Sequence, residues 1–142
     1  MNRYAELKQR QQQAFDAFPI KFAFNDRQFA EAMAALDLEP TDTDKIYKAP
    51  GGGIYRKEDS AKFWEMLDRF EQELQSAIAS DKTGDGFIYE MFLYELESYE
   101  YGLTGDLDET LDALDYTPED VRADPRLRHG LERARLEILG RG

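Results

Sequence analysis

Apolar side chains recur at helical spacing along most of this chain. Between residues 60 and 80 an apolar residue occurs every three or four positions, which predicts a long amphipathic helix. The members of this stripe are Phe63, Leu67, Phe70, Leu74 and Ile78. Similar spacing predicts helices over 3–18, 26–36 and 86–101, followed by shorter helices between residue 106 and the carboxyl end.

Polar residues mark where several of these helices begin. Asn25 is a typical N-cap for the helix over 26–36. Asp106, with Glu109 three residues later, resembles a capping box. Thr117 and Asp124 each precede a proline, which is typical of the first turn of a helix. These signals predict that the carboxyl-terminal third is a series of short helices and one longer helix.

Two segments depart from the helical pattern. In KIYKAPGGGIYRK, residues 45–57, two short runs of aromatic and β-branched residues flank a glycine-rich turn, which predicts a β-hairpin. Residues 20–24 (IKFAF) are a short strand or a buried connector. The 142 residues therefore predict an α+β, mainly α fold, with a single domain of five to six helices and a short β-hairpin.

Composition excludes several kinds of chemistry. The chain has no cysteine and one histidine, His129, so thiolate nucleophiles, iron–sulfur clusters and multi-histidine metal sites are excluded. The first residues are polar, which predicts no secretory signal. No run approaches the roughly 20 apolar residues that span a bilayer, so we expect a cytoplasmic protein with no membrane partner.

The net charge of −12 is concentrated in one part of the chain. Residues 81–124 hold 14 acidic and 2 basic side chains, a net charge of −12, while the rest sums to zero. Direct binding of nucleic acid through this segment is disfavoured, because binding phosphates requires lysine and arginine. A field of this sign favours a basic protein surface as partner, including the surface of a protein that processes nucleic acid.

Carboxylates alternate with tyrosines in the middle of the acidic segment, and tyrosine is enriched at protein interfaces. The candidate partner-binding residues are Glu90, Tyr94, Glu95, Glu97, Tyr99, Glu100, Tyr101, Asp106, Asp108, Glu109 and Asp112. Two alternatives stay open. The carboxylates could form a solvated face, or the arginines of the last helix could pack against them and neutralise them.

The stretch DKTGDGFI, residues 81–88, matches the first half of an EF-hand loop. Asp81, Thr83 and Asp85 occupy the first three ligand positions, but Phe92 stands where a bidentate glutamate normally completes the calcium site. Calcium is therefore a weak cofactor candidate, and the alternative is a turn in which Asp85 caps the next helix. We predict no other cofactor.

Catalytic groups are not indicated by any motif. None of the four serines lies in a nucleophile elbow that could use His129, so we predict a surface or capping histidine and no catalytic residues. A carboxylate-dependent hydrolase is a second alternative function, because the 30 carboxylates include many pairs that could serve as general acid and base. It predicts a cleft with two carboxyl groups of raised pKa.

Several segments together resemble a known family. KQRQQQAFDAFPIKFAF, DKTGDGFIYEMFLYELESYEY, TGDLDETLDAL and RLRHGLERA are similar to an uncharacterised family of small acidic proteins from bacteria, their phages and mobile elements. The resemblance covers nearly the whole chain and carries no catalytic residues. It implies a mobile-element setting, in which small acidic proteins act as inhibitors of host defence, some by occupying a nucleic-acid channel. The prediction is therefore a non-enzymatic acidic interaction protein.

Overall fold

A computed structural model of the protein describes residues 1–141, which contain eight α-helices and one three-stranded sheet. The helices are α1 (Arg3–Ala17), α2 (Asp26–Ala35), α3 (Ser60–Ser80), α4 (Phe87–Ser98), α5 (Tyr101–Thr104), α6 (Asp108–Ala113), α7 (Pro118–Ala123) and α8 (Pro125–Leu139). The strands are β1 (Ile20–Phe22), β2 (Ile46–Ala49) and β3 (Gly53–Arg56), with 3₁₀ turns at Thr43–Lys45, Pro50–Gly52 and Lys57–Asp59. The predicted α+β, mainly α fold class is confirmed. The helices beyond the five to six expected are short ones, since α5, α6 and α7 have only four to six residues each.

The chain forms two compact units. Unit 1 comprises Met1–Arg10 and the chain from Gln72 onwards, and unit 2 comprises Gln11–Glu71. Helices α1 and α3 contribute residues to both units. The single-domain organisation stays a prediction. In the part of the chain that the structure describes, no helix is both long enough and apolar enough to cross a membrane.

Unit 1 is built around α4. Its apolar stripe, Ile88, Met91, Phe92 and Leu96, is completely buried. Helix α8 packs directly on α4, and the contact is close because Gly130 has no side chain. A Cβ atom at Gly130 would lie 2.6 Å from Cγ2 of Ile88, so only glycine permits this approach of the two helices.

Unit 2 places a small antiparallel sheet, in the order β1-β3-β2, between two helical layers. Side chains of successive residues point to opposite faces of a strand. Ile54 of the central strand β3 therefore packs with α2 in the cluster that contains Met33 and Leu36, while Tyr55 stacks on Phe63 of α3 at 4.5 Å between ring centroids. Residues on both faces of β3 are buried, which explains why its sequence, GIYR, shows no apolar–polar alternation.

The predicted helix starts are confirmed at three of four positions. The Asn25 and Asp124 side chains accept N–H bonds at the starts of α2 and α8, and Thr117 forms a reciprocal capping box with Asp120. The capping box predicted at Asp106 is wrong. Helix α6 begins two residues later, and Asp106 instead accepts a bond from the backbone N–H of Asp108 at 2.9 Å, an Asx-type turn that precedes the helix.

The helix predicted over 86–101 is interrupted near its end. Helix α4 stops at Ser98, and Glu100 adopts a left-handed conformation with φ of 56° before α5 begins. A non-glycine residue in this region carries backbone strain. Helix α4 therefore ends three residues before the predicted end, and the chain continues as the separate short helix α5.

Candidate interaction surface

The turn before α4 is organised by one carboxylate. Oδ1 of Asp81 accepts the backbone N–H groups of Thr83 and Gly84 at 3.3 and 2.9 Å, and Oδ2 accepts those of Gly86 and Ile88, each at 3.0 Å. Both oxygen atoms of Asp81, the first ligand in the EF-hand interpretation, are therefore occupied by four donors. Asp81, and not Asp85 as the turn interpretation expected, satisfies the free N–H groups at the start of α4.

Asp85 points to a different set of groups. Its Oδ1 lies 2.6 Å from Nε2 of His129 and 3.3 Å from Nη1 of Arg133, both on α8. Oγ1 of Thr83 accepts the N–H of Asp85 at 3.2 Å, so this oxygen is also engaged within the turn. Within residues 1–141 there is no group of three or more side chains placed to hold a metal ion. In this structure the turn before α4 holds a helix cap formed by Asp81 and a surface ion pair formed by Asp85, and calcium binding by this turn stays a prediction.

Carboxyl groups with shifted pKa values do not favour the hydrolase alternative. Partial burial acts to raise the pKa of Asp81, but the four N–H donors outweigh it and the net shift is downward. The pKa of Asp124 is lowered chiefly by the side-chain hydrogen bond to Arg126, and that of Asp42 chiefly by the backbone N–H of Glu39. A general acid at neutral pH needs a shift in the opposite direction.

A surface cavity in unit 2 brings three carboxylates together in a concave site, but cations lie among them. The cavity, of about 520 Å³, is lined by Asp37, Asp44 and Glu58 together with two lysines and Arg56. Arg56 pairs with Asp37 at 3.5 Å and with Glu58 at 3.2 Å. The cavity therefore contains ion-paired side chains rather than the pair of proton-sharing carboxyl groups that the alternative requires.

The candidate carboxylates on α4 are neutralised within unit 1. Glu95 is buried, and its Oε1 accepts the hydroxyl of Tyr4 at 2.6 Å and the ammonium of Lys8 at 3.0 Å. Oε2 of Glu90 lies 2.9 Å from Nε of Arg3. These contacts join α4 to the first turns of α1. An unpaired carboxylate in the core would be costly, so burial at this position requires the partners that α1 supplies.

Two more candidates are engaged at the carboxyl end of unit 1. Oε1 of Glu97 pairs with Nη1 of Arg141 at 2.8 Å. Tyr101 is buried, and its hydroxyl accepts Nε of Arg135 at 2.8 Å. Glu95 and Tyr101 were predicted as partner contacts, and this is wrong for both, because the apolar stripe of α4 and the turn after it carry their side chains inward. Tyr94 is half-buried against Tyr4, whereas Tyr99 is exposed.

The carboxylates after the break in α4 are different. Glu100, Asp106, Asp108, Glu109, Asp112 and Asp115, here called the acidic surface, are all exposed. Asp106 accepts one backbone N–H, and the other five side chains make no hydrogen bond or ion pair with any residue of the described range 1–141. Helix α6 buries only Thr110 and Leu111, so its remaining face is open to solvent.

The arginines near the carboxyl end do not neutralise this acidic surface. Arg126 donates to the backbone carbonyls of Ile78 and Asp81 and pairs with Asp124. Arg128 donates to the carbonyl of Arg122. The others pair with carboxylates outside the acidic surface: Arg133 with Asp85, Arg135 with Glu132, and Arg141 with Glu97 and Glu137. The alternative of internal neutralisation therefore applies to Asp85 and Glu97 but not to the acidic surface.

Comparison with known proteins identifies the family. Residues 3–137 match a family described as a family of unknown function, DUF7659. The chain belongs to the DUF7659 family. No curated protein and no solved structure matches it. The match covers both units of this DUF7659 protein and agrees with the resemblance to a family without known activity, but it assigns no site to the acidic surface or to any other residue.

Proposed function

We propose that this DUF7659 protein is a non-enzymatic interaction protein whose acidic surface binds a basic protein surface. The observation that carries the proposal is the set of exposed carboxylates between Glu100 and Asp115 that have no cationic partner among the described residues. No lysine or arginine occurs between Lys82 and Arg122, and the cations that reach this segment from elsewhere pair with Asp85, Glu90, Glu95 and Glu97. The field of the acidic surface itself is therefore not cancelled. Such a field accelerates association with a cationic surface and selects the sign of the partner.

The concrete form of the proposal is an inhibitor that occupies the nucleic-acid-binding surface of a host defence protein. Surfaces that bind phosphates are rich in lysine and arginine, and a row of exposed carboxylates can replace the phosphates. The bacterial, phage and mobile-element setting implied by the family resemblance supports this class of partner. In this proposal the protein acts in the cytoplasm and does not itself bind nucleic acid.

Two charge-matched variants test the proposal. The first, Glu109→Gln with Asp112→Asn and Asp115→Asn, removes three carboxylates of the acidic surface. The control, Glu39→Gln with Glu65→Gln and Asp68→Asn, removes three exposed carboxylates of unit 2. Each variant changes the net charge from −12 to −9. The two variants therefore differ in where charge is lost and not in how much is lost.

The wild-type protein and both variants are used as bait for affinity capture from a lysate of the native host, and mass spectrometry identifies the captured proteins. A basic protein should be captured at about 0.1 M salt and released at about 1 M salt, because exposed electrostatic contacts are screened. The control should capture it, and the acidic-surface variant should not. Equal capture by both variants, or retention of the partner at high salt, would contradict the proposed charge mechanism.

The inhibitor form of the proposal also predicts that this protein competes with nucleic acid for the captured partner. Addition of the DUF7659 protein should displace a labelled oligonucleotide from that partner in a gel-shift assay, and the acidic-surface variant should displace it poorly. A partner that binds oligonucleotide and protein together would refute the inhibitor form and leave the interaction itself in place.

A further inference from the structure

The outer edge of strand β2 pairs with no other strand in the part of the chain that the structure describes. Strand β2 lies at one end of the sheet order β1-β3-β2, and its ladder is with β3 alone. An edge strand presents backbone N–H and C=O groups that can pair with one further strand. Tyr47 is 46% exposed and Lys48 is exposed, so the middle of this edge is open to solvent.

The hydrogen bonds between β1 and β3 show which way the backbone groups of the sheet point. The N–H of Ala23, just after β1, donates to the carbonyl of Gly52 at 3.1 Å, so the backbone groups of Ala23 point toward β3. Backbone groups two residues apart on a strand point in the same direction, and those of Lys21 therefore also point toward β3. Lys21 lies opposite Ile54, whose backbone groups must then point toward β1.

The same alternation fixes which residues of β2 lie on the outer edge. Since Ile54 points toward β1, the next residue, Tyr55, points toward β2. Tyr55 lies opposite Tyr47, so the backbone groups of Tyr47 are paired with β3. The backbone groups of Ile46 and Lys48, on either side of Tyr47, therefore point away from β3. A strand added at this edge would pair with these two residues.

The charge along this edge differs from that of the whole chain. Residues 44–58 hold four basic and two acidic side chains, a net charge of +2 in a chain of net charge −12. Lys48 has no carboxylate partner among the described residues, and Nζ of Lys57 lies 5.1 Å from the ring centroid of Tyr47. Tyr47 and Lys48 point to opposite faces of the strand. Each face of the edge therefore carries one lysine without an ion pair.

A surface cavity of about 410 Å³ lies beside the edge, on the face that Lys48 shares with Ile54. Its lining includes Phe29 of α2 and Ile54, and its charged residues are Lys48 and Asp26. Lys48 is directly opposite Ile54 in the register, which places the cavity next to the outer edge. The cavity gives room for a side chain of an added strand next to the ammonium group of Lys48.

We infer that the outer edge of β2 binds a short acidic segment of a partner protein in extended conformation, which adds a fourth strand to the sheet. The backbone groups of Ile46 and Lys48 supply the hydrogen bonds, and Lys48 and Lys57 select acidic side chains. A second copy of the chain is disfavoured, because pairing two β2 edges would crowd the lysines of both copies along one short interface. The inference concerns unit 2 and goes beyond the proposed function, which rests on unit 1.

Three peptides separate strand addition from attraction by charge alone. The first is a blocked, labelled peptide of about seven residues made of glutamate, valine and tyrosine. The second has the same sequence with every amide N-methylated, which keeps the charge and removes the backbone donors. The third has lysine in place of glutamate. Fluorescence anisotropy with the full chain measures the three dissociation constants. The wild-type protein should bind the first peptide and neither of the others.

Two protein variants locate the site. Lys48→Glu should weaken binding of the first peptide about tenfold, because an attraction at the contact becomes a repulsion. The control, Lys62→Glu, alters an exposed lysine of α3 and should leave binding unchanged. Each substitution changes the net charge from −12 to −14. Bound peptide should also slow hydrogen exchange at the amide of Lys48 in NMR spectra of the wild-type protein, because that N–H gains an acceptor.

Several results would overturn the inference and leave the proposed function standing. They are failure of the wild-type protein to bind the first peptide, equal binding of the N-methylated or lysine peptide, equal effects of the two substitutions, and unchanged exchange at Lys48 in the complex. A dimer in sedimentation, with the amide of Lys48 protected before any peptide is added, would assign the edge to a second copy instead.

Discussion

Replacing Asp81 with asparagine tests whether one carboxylate organises the turn before α4. Each carboxylate oxygen accepts two backbone N–H groups, those of Thr83 and Gly84 on one side and those of Gly86 and Ile88 on the other. Asparagine keeps one oxygen and places an NH₂ group where the other was. Two donors therefore lose their acceptor and face a donor instead, while the size of the side chain is unchanged.

The magnitude follows from the hydrogen bonds lost. A hydrogen bond to a charged acceptor contributes about 1.5–3 kcal/mol, and the lower end applies here because Asp81 is only half-buried. Two such bonds give an expected loss of about 3 kcal/mol in the free energy of unfolding at pH 7. That is a large share of the roughly 5–15 kcal/mol available to a protein domain.

The pKa of Asp81 predicts how the loss of stability in Asp81→Asn depends on pH. Partial burial raises the pKa of Asp81, the four N–H donors lower it more, and the folded-state value lies below the ordinary 3.8. A carboxyl group whose pKa is lower in the folded protein stabilises it above the unfolded-state pKa. That stabilisation is lost as the pH falls through the folded-state pKa. The difference between wild type and Asp81→Asn should therefore be full at pH 7 and shrink below about pH 4.

Urea denaturation, followed by circular dichroism at pH 7 and at pH 3, measures both the loss in the free energy of unfolding and its dependence on pH. Asp112→Asn is the control, because its carboxylate is exposed and has no partner in the described chain, and it should change stability by less than about 0.5 kcal/mol. A loss for Asp81→Asn as small as that of the control, or one of equal size at both pH values, would refute the capping role.

Three other substitutions test separate features. Gly84→Ala should cost at least about 3 kcal/mol in urea denaturation, because φ is 89° and the added Cβ would collide with the carbonyl oxygen of Arg126. Tyr4→Phe should cost about 1–3 kcal/mol by the same assay, since buried Glu95 loses a donor; no loss would mean that Lys8 alone satisfies the carboxylate. Glu100→Gly should raise the thermal midpoint by a few degrees, as glycine relieves the left-handed backbone, and a lowered midpoint would contradict that strain.

Features that depend on near neighbours in sequence could be predicted. The hairpin around the glycine triplet, the N-cap at Asn25 and the helix starts at Thr117 and Asp124 follow from turn and cap chemistry within a few residues. The helix over 60–80 has the predicted bounds, because its apolar stripe is continuous. The exception is Asp106, where the sequence fits a capping box equally well but the chain forms an Asx-type turn first.

Features that depend on distant residues could not be predicted. Lys8 and Glu95 are 87 positions apart, and Asp85 and His129 are 44 positions apart, so no local spacing relates them. One signal was available for Glu95. It follows Met91 by four residues and Phe92 by three, which places it on the apolar stripe of α4 and predicts an inward side chain. A carboxylate on such a stripe should be expected to find a buried partner and not an external one.

Position relative to the core, and not the density of carboxylates in the sequence, decides which charges stay available. On α4, Glu95 lies on the buried stripe and Glu90 lies beside it, and desolvation makes an internal cation favourable at both positions. Helix α6 turns only Thr110 and Leu111 inward, so its carboxylates stay hydrated and nothing in folding requires them to be paired. A partner approaching from solvent therefore meets negative charge from Glu100 onwards. It meets little unpaired charge on α4, where Glu90, Glu95 and Glu97 each have a cationic partner.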